Sequence, residues 1–232
     1  WLENQEHLFY LFLFILIVPN IVLCFTEPLP VMAKVTNVLL PLGGYCLLMT
    51  LSRNCGKMLW ILFLFLFFGA FQIVLLYLFG QSIIAVDMFL NLVTTNSSEA
   101  LELLDNLTPA IIAVVILYVP ALILGTISII HKRKLSIEFI RRERRRALIV
   151  LGISLLSLVG AYVQDSGYEL KSDLYPLNVC YNVGLAFQRT ALTQNYHHTS
   201  EDFTFHAKTT RPKEKREVYV MVVGETSRAL NW

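Results

Sequence analysis

The sequence predicts an α-helical integral membrane protein with five transmembrane helices, and three observations carry that prediction. Of 232 residues, 56% are hydrophobic and only 16% are charged, whereas a soluble domain carries about a quarter charged residues. The apolar excess is confined to residues 8–163, and the sequence beyond is ordinary and polar. Within the apolar part, five segments approach the roughly 20 residues that a helix needs to cross a bilayer. A single water-soluble domain, a disordered chain and a disulfide-stapled mini-protein are excluded on the same grounds.

The spans fall at residues 8–25, 35–51, 58–79, 110–130 and 147–163. The first is not a cleaved signal peptide, because no basic segment precedes it, no small-residue cleavage site follows it, and comparable spans come close behind. Pro19 and Asn20 interrupt it, and Pro41 with Gly43 and Gly44 lies inside the second. Membrane helices tolerate such residues where neighbouring helices satisfy the freed backbone groups. None of the five spans carries Asp, Glu, Lys or Arg, which argues against an ion pump, a proton relay or a voltage sensor.

Orientation follows from the loops. Residues 52–57 contain Arg53 and Lys57, and residues 131–146 contain Lys132, Arg133, Lys134 and the run RRERRR at 141–146. Residues 80–109 instead contain Asp87, Glu99, Glu102 and Asp105, with no Lys or Arg. The basic loops are therefore expected in the cytoplasm, and residues 80–109 and everything after 163 outside. Beside a span, the arginine run reads as a topological signal and a contact for anionic lipid. A net charge of only +2 gives no broad basic surface for nucleic acid.

The remaining segments are assigned in order. Residues 81–104 are too apolar for a solvated loop and carry helical periodicity, with a break or cap at Asn96-Ser97-Ser98. Residues 175–193 predict an amphipathic helix that starts at Pro176 and lies on the outer interface through Leu177, Tyr181 and Leu185. Residues 193–216 read as a polar linker, and the valine-rich run 218–223 before Gly224 as a buried strand of an α/β domain. The chain thus divides into a transmembrane domain at 1–163, a bridging helix and linker at 164–216, and the start of a further domain at 217–232. It is read as a fragment of a longer protein. Cys24, Cys46, Cys55 and Cys180 show no CxxC spacing and are expected to be packing residues.

Two constellations could carry chemistry. Asn91, Thr95 and Glu99 are spaced i, i+4, i+8, with Asp87 extending the row, so on a helix they share one face. An amide, a hydroxyl and a carboxylate beside a membrane suit the phosphate, glycerol and ammonium groups of a lipid head; by spacing alone a solvated helix face is the commoner origin of such a row. Gly224-Glu225-Thr226 sits at the carboxyl end of the expected strand, where ligands of α/β sheets gather. Glu225 can ligate a divalent metal there, or cap the next helix. His197, His198 and His206 match no ligand spacing, His7 and His131 read as interface residues, and no Walker A, GxGxxG, HExxH or GxSxG motif occurs.

At these two motifs the sequence resembles the phosphoethanolamine transferases that decorate lipid A, a family that includes the mobile colistin-resistance enzymes. The resemblance rests on five spans, on D-M-F-L-N-L-V-T-T-N-S-S-E-A at 87–100, and on V-V-G-E-T-S-R at 222–228. Met88, Asn91, Thr95, Glu99 and Ala100 match the family's M-x-x-N-x-x-x-T-x-x-x-E-A pattern. The resemblance implies a periplasmic catalytic domain of the alkaline-phosphatase/sulfatase type, with Glu225 as one ligand of its catalytic zinc. It implies Asn91, Thr95 and Glu99 in the phosphatidylethanolamine site, and lipid A or core oligosaccharide as acceptor, at the bacterial inner membrane. The family's threonine nucleophile and its Asp and His zinc ligands would lie outside this chain, so Thr226 is not taken as the nucleophile. A head-group transferase of another specificity, such as a glycerophosphate transferase, and a non-catalytic membrane scaffold are the alternatives.

Overall fold

The computed structural model of the chain describes residues 4–79 and 97–199 together with Thr204 and His206, and the side chains of these outside 78–79, 97–106 and 194–199. Among the described residues all regular structure is helical, in eight helices: α1 (Gln5–Thr26), α2 (Val31–Met49), α3 (Cys55–Ile61), α4 (Phe63–Phe79), α5 (Ser97–Ile130), α6 (Ile137–Gln164), α7 (Leu170–Asp173) and α8 (Leu177–Thr199). Residues 1–193 form one compact unit, and residues from 194 onward belong to another. The expected strand at 218–223 and Glu225 lie outside the described residues.

Four helices are long and apolar enough to cross a membrane, and α3 with α4 gives a fifth span if the pair is taken as one. Expected and observed spans agree in order, and in number if the bent pair counts as one span. The third span, however, is not the straight helix that its unbroken apolar run predicts. It bends by 63° between α3 and α4, at Leu62, whose backbone leaves the helical region (φ −87°, ψ 12°). Neither Gly nor Pro stands at the bend. Both halves of the bent pair pack on α5 and on α1.

α3 and α5 meet at a close backbone approach between two glycines. A Cβ on Gly56 would come within 2.1 Å of the Gly125 carbonyl oxygen, so only the absence of a side chain lets α3 and α5 meet. The Trp60 indole N–H donates to Thr126 Oγ1 at 3.1 Å, and the Cys55 thiol lies 3.9 Å from Ser128 Oγ on the same helix pair. Small residues also line the most extensive interface, between α2 and α6. Ala33 and Thr36 of α2 and Ser154 and Ala161 of α6 are all buried, and Thr36 and Ser157 hydroxyls meet at 2.9 Å. In lipid, which supplies no hydrophobic drive between helices, such close contact is what holds them together.

Two expected boundaries move. The basic loop was expected to run to Arg146, yet it occupies only residues 131–136. Ser136 caps α6 by accepting from the Phe139 N–H at 3.1 Å, and Glu138 sits in the first turn, so RRERRR is helical. The bridging helix was expected to end at residue 193 and runs instead to Thr199, with no Gly or Pro between those positions to stop it. It does start directly after Pro176. Its bundle-facing residues are Val179 and Val183, packed with Leu75, Leu76 and Tyr175, whereas Leu177 and Tyr181 of the expected apolar stripe point outward. Cys46 and Cys55 are buried as packing residues, whereas Cys180 is exposed.

The two ends of the bundle differ. At one end the loops on either side of α3 and α6 are stitched together. The Leu135 N–H donates to the Arg53 carbonyl at 2.7 Å, and the Asn54 amide donates to the Ser128 and Arg133 carbonyls at 3.0 and 2.9 Å. Gln5 at the start of α1 joins them by accepting from Ser128 Oγ at 2.8 Å. Every residue of RRERRR therefore belongs to the end that also holds Arg53 and Lys57. The buried Glu143 interrupts the arginine run for a reason. Its carboxylate accepts from Arg146 at 2.7 Å and from Arg142 at 3.2 Å, beneath the Tyr10 hydroxyl that Arg146 also reaches.

The glycine contacts give a pair of opposite expectations. Gly56→Ala should force α3 from α5 and lower thermal stability in detergent by about 1–3 kcal/mol or more. Gly44→Ala, a helical position with nothing within 4 Å of its Cβ site, should leave stability unchanged or raise it, by up to about 1 kcal/mol. Melting curves of the two variants beside the wild type check both signs.

Candidate functional site

The end of the bundle opposite the arginines is built around a backbone carbonyl that proline leaves without its helical partner. Pro41 has no N–H, so the i→i−4 bond to Asn37 O within α2 cannot form. Asn20 of α1 supplies the missing donor: its Nδ2 lies 2.9 Å from Asn37 O and 2.6 Å from the Tyr175 carbonyl. Asn20, only 1% exposed, therefore ties α1 and α2 to the segment that leads into α8.

Asn37 extends the same tie with its side chain. Its Nδ2 donates to the Asp173 carbonyl at 2.6 Å, and its Oδ1 accepts from the Tyr168 hydroxyl at 2.5 Å. The Tyr175 hydroxyl reaches further down and donates to the Phe65 carbonyl of α4 at 2.9 Å. Gly69 makes that reach possible: a Cβ there would meet Pro19 Cγ and Tyr118 Oη at 2.9 Å and Tyr175 Oη at 3.3 Å. Residues 165–176 are thus strapped across the helix ends by two asparagines and two tyrosines. On the outer surface Met32 N–H donates to Gln164 Oε1 at 3.0 Å.

The electrostatics of this cluster are those of neutral donors. Tyr168 and Tyr175 are buried, and desolvation lifts both pKa values well above the usual phenol range. The nearby Tyr45 and Tyr118 hydroxyls lift Tyr175 further, so these groups stay protonated at any physiological pH. Among the described residues, Tyr45 Oη, Tyr118 Oη and Asn20 Oδ1 are buried without a hydrogen-bond partner. Each such group costs about 1–3 kcal/mol unless something satisfies it; water can serve all three, and a phosphate-ester oxygen can accept from the two phenols only. Among the described residues no three His, Cys, Asp or Glu side chains gather to hold a metal.

Of the residues expected from sequence to bind lipid or metal, Asn91, Thr95 and Glu225 lie outside the described residues. Glu99 lies in the first turns of α5, on backbone that starts at the strapped end of the bundle; its side chain lies outside the described set. Sequence reasoning marked Asn20 only as an interruption and passed over Asn37, Tyr45 and Tyr118. The signal was present. Asn37 stands four residues before Pro41, and polar residues inside apolar spans are expensive unless they have a task.

The proline-freed carbonyl makes the role of Asn20 testable by rescue. Asn20→Leu should leave two carbonyls unpaired and cost about 1–3 kcal/mol for each, with faster amide exchange across residues 165–178. Adding Pro41→Ala returns an N–H to Asn37 O and should recover part of the stability, but not the strap's exchange protection. Thermal melts and hydrogen exchange of the single and double variants read both. No family model matches the chain, and no curated protein or solved structure does.

Proposed function

We propose that the chain is the membrane domain of a phosphoethanolamine transferase, with the first strand of its periplasmic catalytic domain attached. One observation carries this reading: V-V-G-E-T-S-R follows M-x-x-N-x-x-x-T-x-x-x-E-A in the family's order, after five apolar spans. The complete enzyme takes phosphatidylethanolamine, forms a phosphoethanolamine–threonine intermediate and passes the group to a lipid A phosphate or core sugar. Transfer adds a positive amine to an anionic surface and so weakens its attraction for cationic peptides.

Within that scheme the chain's own residues bind and orient. Asn91, Thr95 and Glu99 hold the donor head group, the carboxylate on the ammonium and the amide and hydroxyl on oxygens. Glu225 provides one ligand for a zinc ion that stabilises charge on the transferring phosphoryl group when bound. The helix end from which α5 starts is uncharged among its buried residues and closed by neutral donors, which suits a zwitterionic head group better than an ion. The arginine-rich end is the cytoplasmic one under the positive-inside rule, so donor binding takes place on the periplasmic side.

The test is transfer of labelled head group from phosphatidylethanolamine by the complete enzyme, with phosphatidylglycerol as the competing donor. Glu225→Ala should abolish transfer and lower zinc content. Glu99→Ala should cost about tenfold or more, the worth of a charge-assisted hydrogen bond, at unchanged expression. Full activity in both variants, or equal use of phosphatidylglycerol, contradicts the proposal.

A further inference from the structure

At the arginine-rich end two open grooves, each of about 320 Å³, lie side by side along α6. The first is lined by Arg53, Arg141 and Arg144 with Thr50 and Ser52 at its base, and no carboxylate reaches it. The second is lined by Arg141, Arg142, Arg145 and Arg146, with Glu138 as its one acidic residue. Arg141 belongs to both. Arg142 and Arg146 are committed to the buried Glu143, and Arg53 and Arg144 donate only to backbone carbonyls, of Leu135 and Thr50. Among the described residues no ion pair engages Arg53, Arg141, Arg144 or Arg145. Four guanidiniums are left facing outward with their positive charge uncompensated.

The surroundings say what kind of anion fits. Leu51 and Ile137 line the first groove at 65% and 59% exposure, and Ile149 lines the second at 57%. From Arg141 down the same face of α6 run Leu148, Leu155 and Val159, all exposed, with open space over Gly152. The i+7 and i+11 spacing from Leu148 keeps these on one helix stripe. A soluble anion would make no use of such a stripe, whereas acyl chains would lie along it. Basic pockets at the edge of transmembrane helices on the cytoplasmic side suit anionic head groups in this way, and planar guanidiniums bind phosphate through paired N–H donors.

We infer that the paired grooves form one binding site for an anionic phospholipid with two phosphates, a diphosphatidyl glycerolipid of the leaflet that meets the arginine-rich end. One phosphate sits among Arg53, Arg141 and Arg144, and the other between Arg141 and Arg145, with Arg141 bridging them. The acyl chains follow Leu148, Leu155 and Val159. Two equal basic grooves that share an arginine match two phosphates joined by a short glycerol link, and a single phosphate would leave one groove unmatched. The inference needs only that the bundle spans a bilayer and is independent of the transferase reading.

The experiment is native mass spectrometry of the 232-residue chain in micelles with added cardiolipin, and separately with phosphatidylglycerol at equal phosphate. The expected result is one cardiolipin retained per chain, at least fivefold over phosphatidylglycerol, and weakened by salt. Arg145→Gln should lower cardiolipin retention about fivefold, to the level of phosphatidylglycerol, leaving the latter unchanged. Arg144→Gln should lower both lipids. Lys171→Gln, in an exposed residue at the opposite end, should change neither. Equal retention of the two lipids by the wild type, no retention at all, or wild-type preference in Arg145→Gln each overturns the site.

Discussion

Hydrocarbon offers no hydrogen bonds, so every backbone carbonyl freed inside a membrane protein must find a donor on another part of the chain. Here proline at position 41 frees the Asn37 carbonyl, and Asn20 answers it from the neighbouring helix. That single contact has wide consequences. It fixes α1 against α2, and its second branch, to the Tyr175 carbonyl, sets where the chain turns into α8. Asn54 does the same at the other end, where its amide holds the last carbonyls of α5 and the following turn and its Oδ1 accepts the Lys57 N–H at 2.8 Å. Three asparagines thus carry much of the connection between helix ends, while Gly56, Gly125, Ala33 and Ala161 let the helices come close enough for those side chains to reach.

The same constraint separates the two ends chemically. At the strapped end the donors are amides and phenols, neutral at physiological pH, and they close the bundle without adding charge. At the opposite end the guanidiniums outnumber the acids, and one buried carboxylate, Glu143, steers two of them inward. A neutral, polar end suits a zwitterionic lipid, and a basic end suits an anionic one.

Much of this architecture was legible in the sequence, because the signal for a membrane helix is a long apolar run and five such runs are present. Their order reappears in the fold, as does their number if the bent pair counts as one span. The bend at Leu62 was not legible, since neither Gly nor Pro marks it, and neither was the approach of Gly56 to Gly125 that brings α3 against α5. The start of α6 was misplaced because arginines were read as loop residues, although they are good helix formers and Ser136 provides a cap. On α8 the expected stripe of Leu177 and Tyr181 is exposed; the face that packs on the bundle, Val179 and Val183, has the same spacing, and the sequence does not mark which of the two meets the bundle. Of the binding groups, Asn20 showed as an interruption and Asn37 not at all, because its partner is a carbonyl exposed by a proline four residues away. Asn91, Thr95 and Glu225 lie outside the described residues and rest on motif and resemblance.

The central claim is that the bundle crosses the bilayer five times, with the bent pair α3 and α4 as one complete span. Single-cysteine labelling of intact cells with an impermeant maleimide, after replacement of the four native cysteines, tests it most directly. Cysteines at Ser52 and Lys134 should be labelled only after the membrane is opened, because the Arg53–Leu135 hydrogen bonds place both loops at one end. A cysteine at Ser172, on the strap, should be labelled from outside. Labelling of Ser172 and Lys134 variants from the same side, or of Ser52 and Lys134 variants from opposite sides, would contradict the account.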